Sequence, residues 1–220
     1  MIIGAVSHKT ADVIEQFKKN KIPVVAINVP IKNKWISTNV ATNNNKAAEI
    51  AGRFLLSRLK KINSNRKRVV ILCGDKVQED ALIRAAVPHD MLSNVGYDVH
   101  DYFAKGWSSR FSLTDILAEY SSHKKDIVAV FSCYAGASIA SIDTAKAFDW
   151  KPIQVGFDMD ENMRMMIEAG FLDATVIQNP QQIGIVGIES MFKILKEDIL
   201  LPKFIEIPAQ LVTIDNIKNL

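Results

Sequence analysis

Several apolar runs in this sequence end in a polar side chain that could bind a ligand. Asp158 follows "PIQVGF" and Gln178 follows "ATVI", while Asn28 and Thr42 follow two earlier apolar runs. If these runs are strands of an open parallel sheet, their carboxyl ends border the place where such sheets bind ligands, because the loops there present polar groups to a cleft. The four residues are therefore candidates for ligand contacts.

Three other residues add a cation, a hydroxyl and a flat ring to this set. Arg84 lies on the predicted helix after "ILCG", Tyr134 follows "VFSC", and Trp107 follows "YDVHDYFAKG". These groups suit a sugar, since a Trp ring can cover a C–H face while Asp and Arg hydrogen-bond the hydroxyls. The predicted ligand-binding residues are Asn28, Thr42, Arg84, Trp107, Tyr134, Asp158 and Gln178.

Each of these residues also has an ordinary structural interpretation. Asp158 could be the N-cap of the helix "ENMRMMIEAG", because Asp is a preferred N-cap residue. Gln178, before Asn179-Pro180, could belong to a turn. Trp107 could pack on a lobe surface, and Arg84 could lie on a solvated helix face. The combination carries more weight than any one residue.

The elements that position these residues alternate between strand and helix. Short runs rich in Val and Ile alternate with amphipathic runs, a pattern typical of βαβ units around a parallel sheet. The predicted strands are "MIIGAV", "PVVAIN", "WISTNVAT", "VVILCG", "YDVHDYF", "DIVAVFSCY", "PIQVGFD", "ATVIQ" and the final extended run "FIEIPAQLVTI". The predicted helices include "NNNKAAEIAGRFLLSRLKK", "SLTDILAEYSS", "ASIASIDTAKAF", "ENMRMMIEAG" and "QQIGIVGIESMFKILK".

Composition and motifs narrow the classes of function. A net charge of +3 over 220 residues is too small to imply nucleic acid binding, and the N-terminus does not have the pattern of a signal peptide. The turn "ILCGDKVQED" holds one glycine, whereas a dinucleotide site needs several at fixed spacing. Catalytic elbows and metal-ligand pairs are missing from the sequence. We therefore expect a protein that is not an enzyme and that needs no cofactor or metal.

One long segment resembles a known family. The stretch "VGFDMDENMRMMIEAGFLDATVIQNPQQIGIVGIESMFKIL" closely resembles the C-terminal segment of type I periplasmic sugar-binding proteins of the ribose-binding-like group. The upstream runs "KIPVVAIN", "ATNNNKAAEIAGRFL", "VVILCG" and "IVAVFS" resemble earlier parts of the same fold. The same scaffold also forms the effector domains of lactose-repressor-type regulators.

The resemblance implies an α/β fold of two Rossmann-like lobes with parallel sheets, closing over a ligand in an interlobe cleft. It implies a partial N-terminal lobe of residues 1–42 and 179–208, and a C-terminal lobe of residues 43–178 and 209–220. Family members begin with further strands and helices, roughly 60 residues by the size of βαβ units, so the first lobe is expected to be incomplete. A longer chain, a separate polypeptide or a second copy would cover it, and we favour a homodimer for a chain of this length.

Individual residues take roles from the resemblance. Asp158 matches the aspartate of the family's Gly-Phe-Asp, Gln178 its hinge glutamine and Arg84 its ligand-binding arginine, while Trp107 stands at the position of a stacking aromatic. The chain departs from the pattern at Asn28, where an aspartate is frequent, and at Tyr134, where an asparagine is common. These departures change the hydrogen-bond pattern offered to a ligand.

The implied function is capture of a sugar-like small molecule for an ABC-type importer. The alternative is a ligand-sensing domain of a receptor or of a lactose-repressor-type regulator. Expected partners are the ligand, importer or receptor components and a second copy of the chain, with no nucleic acid. The full-length protein is expected in the periplasm, or outside the cell with a lipid anchor.

Overall fold

The chain folds into two compact units in the computed structural model, which describes residues 1–4, 10–62, 64–104, 117, 122–123, 125–196 and 199–219. The first unit consists of residues 1–43 and 178–209, and the second of residues 44–177 and 210–220. The chain therefore passes between the units three times. No described helix has both the length and the apolar character needed to cross a bilayer.

Strands and helices alternate along most of the chain. The described elements, in chain order, are β1 (Ile2–Gly4), α1 (Thr10–Lys19), β2 (Val24–Ile27), β3 (Ile36–Ala41), α2 (Asn44–Leu59), β4 (Arg68–Cys73), α3 (Glu79–Ser93), β5 (Asp98–Phe103), β6 (Ile127–Ser132), α4 (Ala135–Ala147), β7 (Ile153–Phe157), α5 (Glu161–Glu168), β8 (Ala174–Ile177), α6 (Pro180–Lys196), β9 (Phe204–Glu206) and β10 (Gln210–Thr213). A short 3₁₀ helix (Ile217–Asn219) follows β10.

The first unit contains a parallel sheet with apolar clusters that involve both of its described helices. Its strands run in the order β1-β2-β3-β9, and every neighbouring pair is parallel. Because successive side chains of a strand point to opposite faces, alternate residues of β2 enter different clusters. Val24 packs with Ile14 of α1, whereas Val25 packs with Ile183 of α6. The continuous apolar run of β2 thus reflects burial on both faces.

The second unit contains a larger sheet with the strand order β10-β8-β7-β6-β4-β5. All neighbouring strands are parallel except β10, which pairs antiparallel with β8. Strands β4, β6 and β7 are almost fully buried, as expected for strands that are mostly apolar and do not alternate with polar residues. Helices α2 and α3 pack against each other and against the sheet. The carboxyl ends of β4, β6 and β7 therefore lie side by side.

The structure corrects two predicted elements. The final run, residues 204–214, is not one extended strand: β9 joins the first sheet and β10 joins the second, with Ile207, Pro208 and Ala209 between them. Helix α1 was not predicted, although Ile14 and Phe17 form one apolar side of it. Most of the predicted helix "SLTDILAEYSS", residues 112–122, lies outside the described residues.

Candidate functional site

Arg84 forms the centre of a polar cluster at the carboxyl ends of the strands in the second unit. It lies on α3, and only 6% of the residue is exposed to solvent. Its Nε donates a hydrogen bond to Oδ1 of Asn44 at 2.8 Å, and one terminal nitrogen donates to the carbonyl oxygen of Cys133 at 3.2 Å. The guanidinium carbon lies 3.9 Å from the centre of the Phe157 ring. Groups from three other chain segments thus fix the orientation of the guanidinium.

Asp158 lies beside this guanidinium, directly after β7. Its Oδ2 is 3.9 Å from a terminal nitrogen of Arg84, a distance suited to charge attraction but too long for a hydrogen bond. The Asp158 side chain is 39% exposed, whereas that of Arg84 is 8% exposed. Solvent, or a ligand hydroxyl, can therefore reach the carboxylate, while only a small part of the guanidinium is accessible.

The backbone of Asp158 is held in an uncommon conformation. Its φ is 66°, in the left-handed region that non-glycine residues seldom adopt. Its N–H donates to the carbonyl oxygen of Val176 at 2.8 Å, and its carbonyl oxygen accepts from the Thr175 hydroxyl at 2.6 Å. Both partners belong to β8, the neighbouring strand. Such a conformation persists where surrounding contacts hold it, and it is frequent at functional sites.

The helix-cap interpretation of Asp158 is wrong, because Asp160 caps α5. The side chain of Asp160 accepts a hydrogen bond from the N–H of Met163 at 2.9 Å, the usual contact of an N-cap residue. The solvated-face interpretation of Arg84 is also wrong, since the side chain is buried. The main structural alternatives for these two residues are thereby removed.

A second carboxylate, Asp80, completes the charge distribution around Arg84. Its Oδ1 accepts from Nδ2 of Asn44 at 3.0 Å, so Asn44 bridges Asp80 and Arg84. Burial raises the pKa of Asp80, although the Arg84 charge and the Asn44 hydrogen bond oppose this shift. Burial lowers the pKa of Arg84, and the charges of Asp158 and Asp80 counteract it. An arginine remains protonated under such conditions, so the cluster presents a fixed cation.

Tyr134 lies beside the cluster at the N-cap position of α4. It is almost completely buried, and its side chain makes no cap hydrogen bond. Its carbonyl oxygen accepts from the N–H and the hydroxyl of Ser138, at 3.1 and 3.2 Å. The preceding residue, Cys133, supplies the carbonyl that binds Arg84. Tyr134, Arg84 and Asp158 are thus brought together within one unit.

The remaining predicted residues belong to the first unit or lie outside the described part of the chain. Asn28 is exposed directly after β2, with a left-handed φ of 69°. Thr42 is buried, and its hydroxyl donates to the carbonyl oxygen of Gln178 at 3.2 Å. This bond joins the end of β3 to the segment after β8. Trp107 falls in residues 105–116, which the structure does not describe.

Sequence reasoning missed three members of the cluster: Asn44, Asp80 and Phe157. The spacing of Asp80 and Arg84, four residues apart on one helix, was a readable signal of a charge pair. Asn44 was not predicted to contact Arg84, because that contact depends on the packing of α2 on α3. Phe157 immediately precedes Asp158, but nothing in the sequence connects its ring with α3.

A separate surface depression does not contain this cluster. It measures about 390 Å³ and is lined by Arg66, Lys125, Phe148, Asp149 and Trp150. Three of these residues precede strands β4, β6 and β7, so the depression lies at the amino ends of the strands. Ligands of open parallel sheets bind at the opposite, carboxyl ends. Within the described residues, no group of three or more His, Cys, Asp or Glu side chains is placed to hold a metal ion.

Comparisons with known proteins identify relatives of this chain. The chain is 22% identical over 200 residues to the ribose import binding protein RbsB of Haemophilus influenzae, an alignment that covers 89% of the chain and 65% of that relative. The chain thus spans less than two thirds of the length of this curated relative.

Two solved structures have the same fold. One is a periplasmic ribose ABC transporter protein of Conexibacter woesei, with a TM-score of 0.85, 17% identity, and coverage of 99% of this chain and 74% of that one. The other is an ABC transporter solute-binding protein of Bacillus halodurans with bound myo-inositol, with a TM-score of 0.83, 18% identity, and coverage of 99% and 75%. The predicted fold class, two lobes with parallel sheets, is confirmed.

A family model gives the assignment. The model described as "periplasmic binding protein domain" matches residues 1–198, which is most of the chain. It represents binding proteins rather than enzymes, as the sequence motifs predicted. The chain therefore belongs to the periplasmic binding protein family, of the type I fold that the sequence resemblance indicated.

Proposed function

We propose that this chain binds a sugar-like small molecule, with Asp158 and Arg84 as its principal polar contacts in the second unit. The observation that carries the proposal is the pairing of a fixed, buried guanidinium with a carboxylate that solvent can reach. A carboxylate accepts hydrogen bonds from two neighbouring hydroxyls, and a guanidinium donates to hydroxyl or ring oxygens. Vicinal hydroxyls of a sugar match this arrangement of donors and acceptors.

The other predicted contacts follow from the same chemistry. Tyr134 supplies a polar tip on a buried ring, and Trp107 is proposed to cover one face of the sugar. Asn28, Thr42 and Gln178 are proposed to supply further hydrogen bonds from the first unit. Relatives named for ribose or crystallised with myo-inositol support polyhydroxylated rings as the ligand class.

We further propose that the protein delivers this ligand to an ABC-type importer from outside the cytoplasmic membrane. The names of its relatives, a ribose import binding protein and a periplasmic transporter component, support this context. The alternative is a sensory role for the same binding event, in a receptor or a regulator. Restoration of sugar uptake in a strain lacking its own binding protein would favour import, whereas binding without uptake would favour sensing.

Titration calorimetry with ribose, arabinose, galactose and myo-inositol tests the ligand assignment. One of these compounds should bind, and Asp158→Asn should weaken that binding at least tenfold, because a neutral amide loses the charge that strengthens each hydrogen bond. Asp98→Asn is the matched control, since Asp98 also pairs with an arginine, Arg68, but at the amino end of β4. Unchanged affinity in Asp158→Asn, or equal loss in both variants, would refute the assignment.

Besides the ligand and the importer, we propose a second copy of the chain as a partner, which would form a homodimer through helix α6 of the first unit. This helix buries Ile183 and Met191 against the sheet, but it also exposes a second apolar stripe. The stripe consists of Ile185, Ile188, Phe192 and Leu195. Exposed apolar stripes of this kind commonly mark an interface.

The spacing of the stripe favours a second copy of the chain as the occupant. Residues 185 and 195, and residues 188 and 192, are each symmetric about position 190. A two-fold axis at that level would set two α6 helices antiparallel, with Ile185 against Leu195 of the copy and Ile188 against Phe192. An isologous interface requires this kind of self-complementarity.

Light scattering after gel filtration tests the dimer. The chain should elute as a dimer, and Ile188→Lys should convert it to a monomer by placing a charge at the proposed contact. Ile214→Lys is the control, because Ile214 is an exposed isoleucine of the second unit. A monomeric parent chain, including one that binds a different polypeptide through the stripe, would contradict the proposal.

A further inference from the structure

The two cysteines of the chain lie opposite each other on neighbouring strands of the second unit. They are Cys73 and Cys133, and both are fully buried. In the parallel pairing of β4 with β6, Leu72 lies opposite Ser132, so the next residues of the two strands are also opposed. The N–H of Cys133 donates to the carbonyl oxygen of Leu72 at 2.9 Å, which continues the pairing beyond the last strand residue of β6.

The two side chains are also in contact with each other. A hydrogen bond with Cys133, together with burial, raises the pKa of Cys73, and the charge of Asp101 acts in the same direction. The Cys73 thiol also donates to the carbonyl oxygen of Ile71 at 3.6 Å. A buried thiol with a raised pKa is a poor nucleophile, because the thiolate is the reactive form. Oxidation of the folded, reduced protein should therefore be slow.

We propose that Cys73 and Cys133 are a disulfide-forming pair that closes while the chain folds in the presence of a small-molecule disulfide. Neighbouring strands lie about 4.8 Å apart, within the range of about 4.4 to 6.8 Å between Cα atoms that a disulfide spans. The resulting bond would join the carboxyl ends of β4 and β6. It would lie beneath the Arg84 cluster, since the carbonyl of Cys133 accepts from Arg84.

The chemistry is ordinary thiol–disulfide exchange, in which a small-molecule disulfide such as oxidised glutathione is the oxidant. One cysteine thiolate attacks oxidised glutathione, forming a mixed disulfide and releasing one glutathione thiolate. The second cysteine thiolate attacks the protein sulfur of that mixed disulfide and releases the second glutathione. The two cysteines lose two electrons, the glutathione disulfide gains them, and the two cysteine protons end on the two glutathione thiols.

Refolding in a glutathione buffer tests the pair. The reduced chain is unfolded in denaturant and diluted into buffer containing oxidised and reduced glutathione, and a parallel sample is diluted into buffer with reductant alone. Intact mass and maleimide labelling under denaturing conditions then report the state of both thiols. The glutathione sample should be about two mass units lighter, take up no maleimide, and yield a linked Cys73–Cys133 peptide after proteolysis.

Stability provides a second measurement that does not depend on ligand binding. The cross-link would close the chain segment between Cys73 and Cys133 into a loop. Closing a loop of roughly 60 residues should raise Tm by about 5 °C or more. Cys133→Ser is the matched control, because it cannot form the bond and should show the same Tm in both buffers. Two thiols that remain labelled after refolding, stable mixed disulfides, cross-linked dimers, or a Tm lowered by the bond would overturn the proposal.

Discussion

Arg84 is a buried cation, and its position depends on a small number of oxygen atoms. Burying a charge is costly unless hydrogen bonds and opposite charges replace water. Here the Asn44 side chain and the Cys133 carbonyl accept hydrogen bonds, while Asp158 and Asp80 supply negative charge. Asn44 therefore positions both a cation and a carboxylate, although it was not among the predicted ligand contacts.

Asp80 should make the stability of the protein depend on pH. Its pKa is raised mainly by burial, so the native state holds this proton more tightly than the unfolded state does. Its stabilising contribution is complete below the unfolded pKa of about 3.9 and is lost as pH rises through the higher native pKa. Asp80→Asn should therefore lose less stability than the parent chain between about pH 4 and pH 7, as measured by urea unfolding.

Asp98 provides a comparison of opposite sign. Its pKa is lowered, first by the hydrogen bond with His100 and then by the one with Arg68. Its contribution is present at neutral pH and is lost as pH falls. Asp98→Asn should therefore reduce stability at neutral pH more than at acid pH. If stability depended on pH in the same way in Asp80→Asn and Asp98→Asn, the buried environment of Asp80 and the hydrogen-bonded environment of Asp98 would be contradicted.

Residue types and spacing identified some of this site but not its geometry. Asp158 and Arg84 were found because one ends an apolar run and the other follows a strand, which are local signals. The sequence prediction named Asp158 alone as a possible cap of α5, whereas Asp160, the residue directly before the helix, fills that position. The hydrogen bond from the N–H of Met163 to the Asp160 side chain identifies the cap, and sequence does not report that contact.

At the scale of elements, helix α5 should lose stability when its cap is removed. Asp160→Ala deletes the acceptor of the Met163 N–H and should lower the free energy of unfolding by about 1 kcal/mol. Ligand affinity should stay the same, in contrast to Asp158→Asn. Chemical denaturation and calorimetry on both variants separate the two roles. A large loss of ligand affinity in Asp160→Ala would contradict the assignment of Asp160 to helix capping and Asp158 to ligand binding.

The run after α6 shows why one prediction of an element failed. Residues 204–214 contain apolar and β-branched side chains on both sides of Pro208, which suits extended backbone throughout. Local preference cannot say which sheet each half joins. Parallel pairing of β9 with β3 and antiparallel pairing of β10 with β8 are long-range contacts that divide the run into two strands.

At the scale of the whole molecule, each compact unit has its own apolar core. A substitution within one core should therefore destabilise that unit. A Cβ added at Gly156 would lie 2.7 Å from Oγ of Ser138 in the second unit, and one added at Gly187 would lie 2.7 Å from Cγ2 of Ile27 in the first. Gly156→Ala and Gly187→Ala should each lower stability by about 1 to 3 kcal/mol through overpacking.

Hydrogen exchange can assign each loss to a unit. Gly156→Ala should reduce protection of amides in β6, β7 and β8, and Gly187→Ala should reduce protection in β2 and β3. Loss of protection spread equally over both units in either variant would indicate a single cooperative core instead.

The α/β architecture was largely predictable because its signals are local and repeated. Each βα unit contains a short apolar run followed by an amphipathic one, and right-handed crossovers then leave few topologies for a parallel sheet. Helix α1 was not predicted, although "TADVIEQFKK" places Ile14 and Phe17 three residues apart, a helical spacing that lets both join the apolar cluster with β2.

The left-handed backbone at Asp158 limits how this site could be altered by design. Asparagine and glycine adopt that conformation readily, whereas β-branched or bulky residues would add strain whatever they offered a new ligand. Substitutions at position 158 other than Asn and Gly should therefore each cost about 1 to 2 kcal/mol of stability, measured by urea unfolding. Tyr134 has extended backbone with a φ of −161° and adds no such strain, but its ring is buried, so replacements there should keep a similar size.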